Sequence, residues 1–212
     1  MELYDKLTAQ YPAEHFSVST TQTVIEEESP SASLRVVTIS HDGTSVLLVR
    51  KSFLEALRLG TIQFAAITAT KDKICDGIIA IDESQHIIWY FELKSNCNAN
   101  RCRDARQQIL ASQERFKAAL ASLKEFAADS YLHTGVIATP PQNVEEKVKA
   151  RQRRNTLTDD AHAERSRFFS ELMAGSVRDE DHNTTFCHIN GNEPINLSTL
   201  IARFSDNRNE SK

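Results

Sequence analysis

Three ionisable residues are spaced as a metal-dependent hydrolytic site would need them: Asp76, fifteen further residues, then Glu92-Leu93-Lys94. Successive side chains of a strand point to opposite faces, so Glu92 and Lys94 share one face and Leu93 lies on the other. The run before them, Ile87-Ile88-Trp89-Tyr90-Phe91, is continuously apolar, as in a strand covered on both faces. A carboxylate and an ammonium ending such a strand must be paired or put to use, because an unpartnered buried charge is costly. If the segments holding Asp76 and Glu92 form a hairpin with its turn near Ser84, the two carboxylates come side by side. Like charges at that separation repel, and a divalent cation relieves the repulsion. Hard oxygen ligands favour Mg²⁺ or Mn²⁺ over zinc. A neighbouring lysine would orient or deprotonate a water and stabilise charge building up on a phosphate. The competing reading of the same residues is a surface ion pair between Glu92 and Lys94, with Asp76 in a turn.

The elements that must position these residues are legible from periodicity and punctuation. Residues 34–39 and 45–49 flank His41-Asp42-Gly43-Thr44, whose Asp-Gly is a hairpin turn signal, with His41 a solvent-facing turn residue. Ser52 is placed to cap a short helix over 53–59, stopped by Gly60. Strand-like runs follow at 61–68, 75–81 and 86–93, then a helix over about 104–128 with its apolar stripe at Ile109, Phe116, Leu120 and Leu123. A strand at 135–138 is stopped by Pro140-Pro141, and 158–175 reads as a further helix. Residues 184–189 form a strand closed by Asn190-Gly191, and Ser198 opens a last helix before a polar tail from Asp206. Residues 17–33 are rich in Ser, Thr and Glu and read as a loop, with Glu26-Glu27-Glu28 taken as a solvated charge run without function.

Asp76, Glu92 and Lys94, set in the order helix–strand–strand–strand–helix–strand, resemble the PD-(D/E)XK nuclease superfamily. Asp76-Gly77 stands where the family often has Asp-Gly, and Gln108-Ile109 fits the Gln that its following helix often presents. Two positions depart from the pattern: Cys75 replaces the Pro of the family name, and Ser112 stands where one branch has a Tyr. The resemblance covers about residues 50–140 and implies an α/β (α+β), restriction-endonuclease-like core, with a mixed central sheet flanked by helices. It implies Asp76 and Glu92 as metal ligands, with the Leu93 backbone carbonyl as a third. Glu55, on the first helix, is a further candidate ligand. Lys94 would position the attacking water, and Gln108 would hold the ligands or the substrate phosphate. The cofactor would be Mg²⁺ or Mn²⁺ and the reaction hydrolysis of a phosphodiester bond, DNA favoured over RNA. Family habit alone suggests a nuclease subunit of a bacterial nucleic-acid-processing or antiviral defence system. A nuclease fold kept as a binding or assembly subunit without turnover is the alternative.

Composition bounds these readings. The 212 residues carry 25 Lys and Arg against 29 Asp and Glu, a net charge of −4, so binding through bulk positive charge is excluded. Local basic groups remain: Arg101, Arg103 and Arg106 near the start of the long helix, and Lys147, Lys149, Arg151, Arg153 and Arg154 beyond it. These could contact a phosphate backbone, although neither group is interleaved with stacking aromatics. With weak non-specific affinity for polyanions, a guided nuclease is expected, acting with a protein partner or a second copy. Four cysteines stand at 75, 97, 102 and 187; the gap between Cys97 and Cys102 is loose for zinc, and buried thiols are expected. No phosphate loop, dinucleotide fingerprint or nucleophile elbow is present. No membrane span or signal peptide is read, and a cytoplasmic setting is expected. The expected organisation is an N-terminal connector over 1–33, a hairpin plus nuclease-like core over 34–140, and a helical extension with a short strand over 141–212.

Overall fold

The computed structural model describes residues 1–59, 73–82, 85–123, 126, 130–141 and 160–205. Among the described residues, ten strands and five α-helices are arranged as a mixed α/β fold. In chain order they are α1 (Glu2–Gln10), β1 (Phe16–Ser19), β2 (Gln22–Glu26), β3 (Val36–Ser40), β4 (Val46–Arg50), α2 (Lys51–Leu59), β5 (Gly77–Asp82) and β6 (His86–Leu93). There follow α3 (Ala99–Ala121), β7 (Leu132–Thr139), α4 (Asp160–Ala174), β8 (Ser176–Asp179), β9 (Thr184–Asn190), β10 (Ile195–Asn196) and α5 (Leu197–Ser205).

Seven strands make one mixed sheet in the order β1-β4-β5-β6-β7-β9-β8. The β5–β6 hairpin is antiparallel, with Gly77 opposite Phe91, and β6 runs parallel to β7 through the crossover helix α3. The central strands are buried almost throughout, which explains their unbroken apolar runs. One sheet face is covered by helices α1 to α4, in a core that includes Leu7, Phe53, Tyr90, Phe116 and Phe168. The other face carries a smaller sheet, β10-β3-β2, together with α5, and packs Ile25, Val37, Ile39, Trp89 and Phe91.

Several sequence expectations are corrected here. The segments 34–39 and 45–49 do not pair with each other: β3 belongs to the small sheet, and β4 to the large one between β1 and β5. The Asp-Gly turn is present, with Gly43 at φ 81°, but the chain uses it to step between layers. The reason lies in burial, because β4 hides Val46, Leu47 and Val49 on both its faces and so demands a central place. His41 is buried, its amide donating to Thr21 O at 2.8 Å. The strand expected at 61–68 lies outside the described residues, and the neighbour of β5 away from β6 is β4. Helix α2 begins at Lys51, and Ser52 contacts His15 Nδ1 at 3.0 Å where a capping role was expected. Helix α3 starts five residues earlier than periodicity suggested because Asn98 caps it, its Oδ1 accepting from the Arg101 amide at 3.0 Å.

Residues 1–33 are an integral layer of this fold. Leu3 and Leu7 of α1 are fully buried, and β1 and β2 occupy the stretch read as a loop. Its Ser and Thr content concealed a β-branched alternation in which Thr23 and Ile25 face inward. Truncating Leu7 to Ala should therefore lower folding stability by about 2–5 kcal/mol, measured by chemical denaturation. An effect below about 0.5 kcal/mol would mean that α1 does not belong to the core.

Candidate metal centre

The site is built at the end of the large sheet where β5 begins and β6 ends. Hairpin register sets Asp76 beside Glu92: the Asp76 amide donates to Phe91 O at 2.9 Å, and Asp76 Oδ2 accepts from the Leu93 amide at 2.8 Å. Leu93 thus contacts Asp76 through its N–H. The segment leading into Asp76 is fastened by one face of α3, through residues spaced four and three apart. Gln108 Nε2 donates to Ile74 O at 3.1 Å, Ser112 Oγ accepts from the Cys75 amide at 2.7 Å, and Arg115 Nη1 donates to Lys73 O at 2.6 Å. Ser112, set apart in the sequence as a departure, therefore ties the chain just before Asp76 to α3.

Lys94 follows directly on β6. Its Nζ pairs with Glu92 Oε1 and donates to Gln108 Oε1 at 2.7 Å. Glu92 is fully buried, and its second oxygen, Oε2, has no hydrogen-bond partner among the described residues. An orphaned carboxylate oxygen at such depth is expensive unless a cation or a proton completes it.

Two residues that sequence reading passed over complete the cluster. One oxygen from each of Glu27, Asp76 and Glu92 lies within 4.8 Å of the others. Glu27 comes from the small sheet, one residue beyond β2, its amide donating to Arg35 O at 2.8 Å. Ile25, two residues earlier in the same strand, packs over Gly77: a Cβ at Gly77 would sit 3.2 Å from Ile25 Cγ2. Glycine beside Asp76 is thus the residue that lets the small sheet approach closely enough for Glu27 to reach the site. The loop after Glu27 is pinned next to Lys94, where the Ser33 amide donates to Ser95 Oγ at 3.0 Å and Ser33 Oγ to Ser95 O at 2.9 Å. Lys51, the first residue of α2, places its Nζ 3.0 Å from Asp76 Oδ1 and 3.8 Å from Glu27 Oε1.

The electrostatics follow from burial. Asp76 is pushed up to about 6, chiefly by burial and further by Glu27, while the Leu93 amide and Lys51 pull it down. Glu92 is pushed up to about 8 by burial and by Asp76, with Lys94 opposing. Burial pulls Lys51 down, but the attraction of Asp76, Glu27 and Glu92 prevails and leaves it above its ordinary value. Three carboxylates thus face two ammoniums in a poorly solvated space, and the donors present are the hard oxygens that suit Mg²⁺ or Mn²⁺.

Of the residues singled out by sequence, Asp76, Glu92, Lys94 and Gln108 are brought together. Glu55 is not part of the carboxylate group; α2 contributes Lys51 in its place. Arg101 is exposed, Arg103 pairs with Asp104 at 3.2 Å, and Arg106 is held by Asp179 at 2.7 Å and Glu164 at 3.5 Å. Arg106 is thereby tied up joining α3 to β8. Lys147, Lys149, Arg151, Arg153 and Arg154 lie outside the described residues. Nothing in the Glu26-Glu27-Glu28 run distinguishes the middle glutamate in sequence; only the Asp76-Gly77 step hinted that something packs closely there.

The raised carboxyls fix the sign of a pH effect. Both folded values exceed the ordinary 3.8 of Asp and 4.5 of Glu, so the folded chain keeps protons that the unfolded chain has lost. Their contribution to stability therefore falls as pH rises, for Asp76 between about 4 and 6 and for Glu92 between about 4.5 and 8. Chemical denaturation in the presence of a chelator should show this decline, and Glu92→Gln should flatten the part between pH 6 and 8. An unchanged slope in that variant would refute the assignment. No family model, curated protein or solved structure matches the chain.

Proposed function

We propose that this chain is a divalent-metal-dependent phosphodiesterase acting on nucleic acid, built on a restriction-endonuclease-like core. The observation that carries the reading is half-buried Glu27 beside buried Asp76 and Glu92, whose Oε2 has no partner among the described residues, set against Lys94 and Gln108. Glu27, Asp76 and Glu92 would hold Mg²⁺ or Mn²⁺, with the Leu93 carbonyl as a further donor. A divalent cation there supplies Lewis-acid polarisation and charge neutralisation for hydrolysis of a phosphodiester.

The chain's own residues do the positioning. Lys94 has three N–H donors; Glu92 and Gln108 take two, and the third, taken by none of the described residues, would hold an incoming water or a phosphate oxygen. Gln108 keeps the ammonium in place while its amide end grips Ile74, so one side chain couples Lys94 to the segment that carries Asp76. Lys51 adds a second positive charge against Asp76 Oδ1, suited to the charge that builds on phosphate oxygens during attack. Exposed Arg101 and the basic residues between 147 and 154 would contribute backbone contacts, with DNA favoured over RNA. A protein partner or a second copy would supply targeting that a net charge of −4 does not. Among the described residues no helix is long and apolar enough to cross a membrane.

Incubating the full chain with labelled DNA and RNA, with Mg²⁺, Mn²⁺ or chelator, tests the proposal. Metal-dependent cleavage is expected, lowered about 10²–10⁴-fold by Lys94→Ala or Glu92→Ala. Cleavage at full rate in either variant would eliminate the mechanism. A folded protein that neither binds metal nor cleaves would indicate a binding or assembly subunit. Calorimetric titration separates the ligands: Glu27→Gln should weaken Mn²⁺ binding by at least about 10-fold, and Glu55→Gln should leave it unchanged.

A further inference from the structure

Cys97 and Cys102 are not among the carboxylate site's ligands, yet helix geometry brings them into contact. With Asn98 as the cap of α3, Cys97 is the residue before the cap and Cys102 the fourth helical residue. Side chains at these two positions meet across the first turn, the pairing known as a hydrophobic staple. Here both members are thiols. Their sulfurs are 3.6 Å apart, and both residues are buried, Cys97 at 8% exposure and Cys102 at 1%. The four-residue gap that is loose for zinc is thus the spacing that staples a helix start. Closing from contact distance to the roughly 2.05 Å of a disulfide asks for side-chain rotation within one turn.

The surroundings favour reaction at Cys97. Its sulfur also lies 3.7 Å from Met173 Sδ, and His188 and Thr139 stand beside it. A hydrogen bond from the Cys102 thiol, assisted by His188, favours the Cys97 thiolate, while Cys102 is held in its protonated form. That is the division between an attacking and a resolving thiol. The other two cysteines sit elsewhere, Cys75 just before β5 and Cys187 within β9.

We propose that Cys97 and Cys102 are an oxidisable dithiol that closes to a disulfide when the chain meets hydrogen peroxide. The Cys97 thiolate attacks one peroxide oxygen, the O–O bond breaks, and the leaving hydroxide takes up a proton to become water. The Cys102 sulfur then attacks the resulting sulfenic sulfur, the S–O bond breaks, and the second water carries away the Cys102 proton. Two thiols are oxidised and one peroxide is reduced to two waters. The product would lock the direction in which the chain leaves Lys94 and Ser95 and enters α3, the helix that carries Gln108.

The test uses the native full-length chain treated with hydrogen peroxide in chelator, alkylated, digested with trypsin and mapped by mass spectrometry. Trypsin cuts after Arg101, between the two cysteines, so the disulfide joins two peptides. Expected are the linked Cys97 and Cys102 peptides, loss of two of the four titratable thiols, and recovery on reduction. Cys102→Ser should abolish the linked species and leave Cys97 as a sulfenic acid that dimedone traps. Oxidation of Cys75 or Cys187 ahead of this pair would overturn the proposal. So would sulfinic acid at Cys97 in the wild-type chain without a linked peptide. Stoichiometric Zn²⁺ that shields both thiols from alkylation and peroxide would replace it with a soft-metal site.

Discussion

Three carboxylates share one poorly solvated corner of this protein, and much of the local architecture serves to make that tolerable. Glu27 raises the cost of ionising Asp76, both raise that of Glu92, and burial removes the water that would screen them. The fold answers with two lysines from different elements, a backbone amide at Asp76 Oδ2, and a glutamine that keeps one lysine oriented. One oxygen, Glu92 Oε2, is still left without a partner among the described residues. Apolar residues would fill the same volume more cheaply.

The corner exists because two sheets and a helix meet there. The β5–β6 register sets Asp76 and Glu92 side by side, and α3 clamps the strand leading into Asp76 at three successive backbone groups. The small sheet then leans in over Gly77 and delivers Glu27. Each contact is ordinary, but together they hold six ionisable or polar side chains on or at the ends of strands and helices. A binding or catalytic constellation requires that kind of support.

Much of the core was legible in the residues. The unbroken apolar run of β6, the periodic stripe of α3 and the Asp76 to Lys94 spacing all follow from local chemistry and strand alternation. The hairpin misreading at Asp42-Gly43 shows where such reasoning fails. A turn signal states that the chain reverses locally, but not whether the flanking strands pair with each other or with distant ones. The early segment was missed for a related reason: strands built from Ser, Thr and Val are polar enough to pass for a loop until their partners are known.

With Gln108 implied by the family resemblance alone, the sequence by itself determined which strand would be central, roughly where the long helix would run, and that Asp76, Glu92 and Lys94 would lie close together. These are statements about neighbours in the chain and about two adjacent strands, so local periodicity suffices. Only the tertiary structure decided that Glu27 joins the acidic pair, that α2 offers Lys51 and not Glu55, and that Arg106 is tied up in an ion pair. Those outcomes depend on which layer rests on which, and that is settled by burying both sheet faces at once. No pattern within a single segment encodes it.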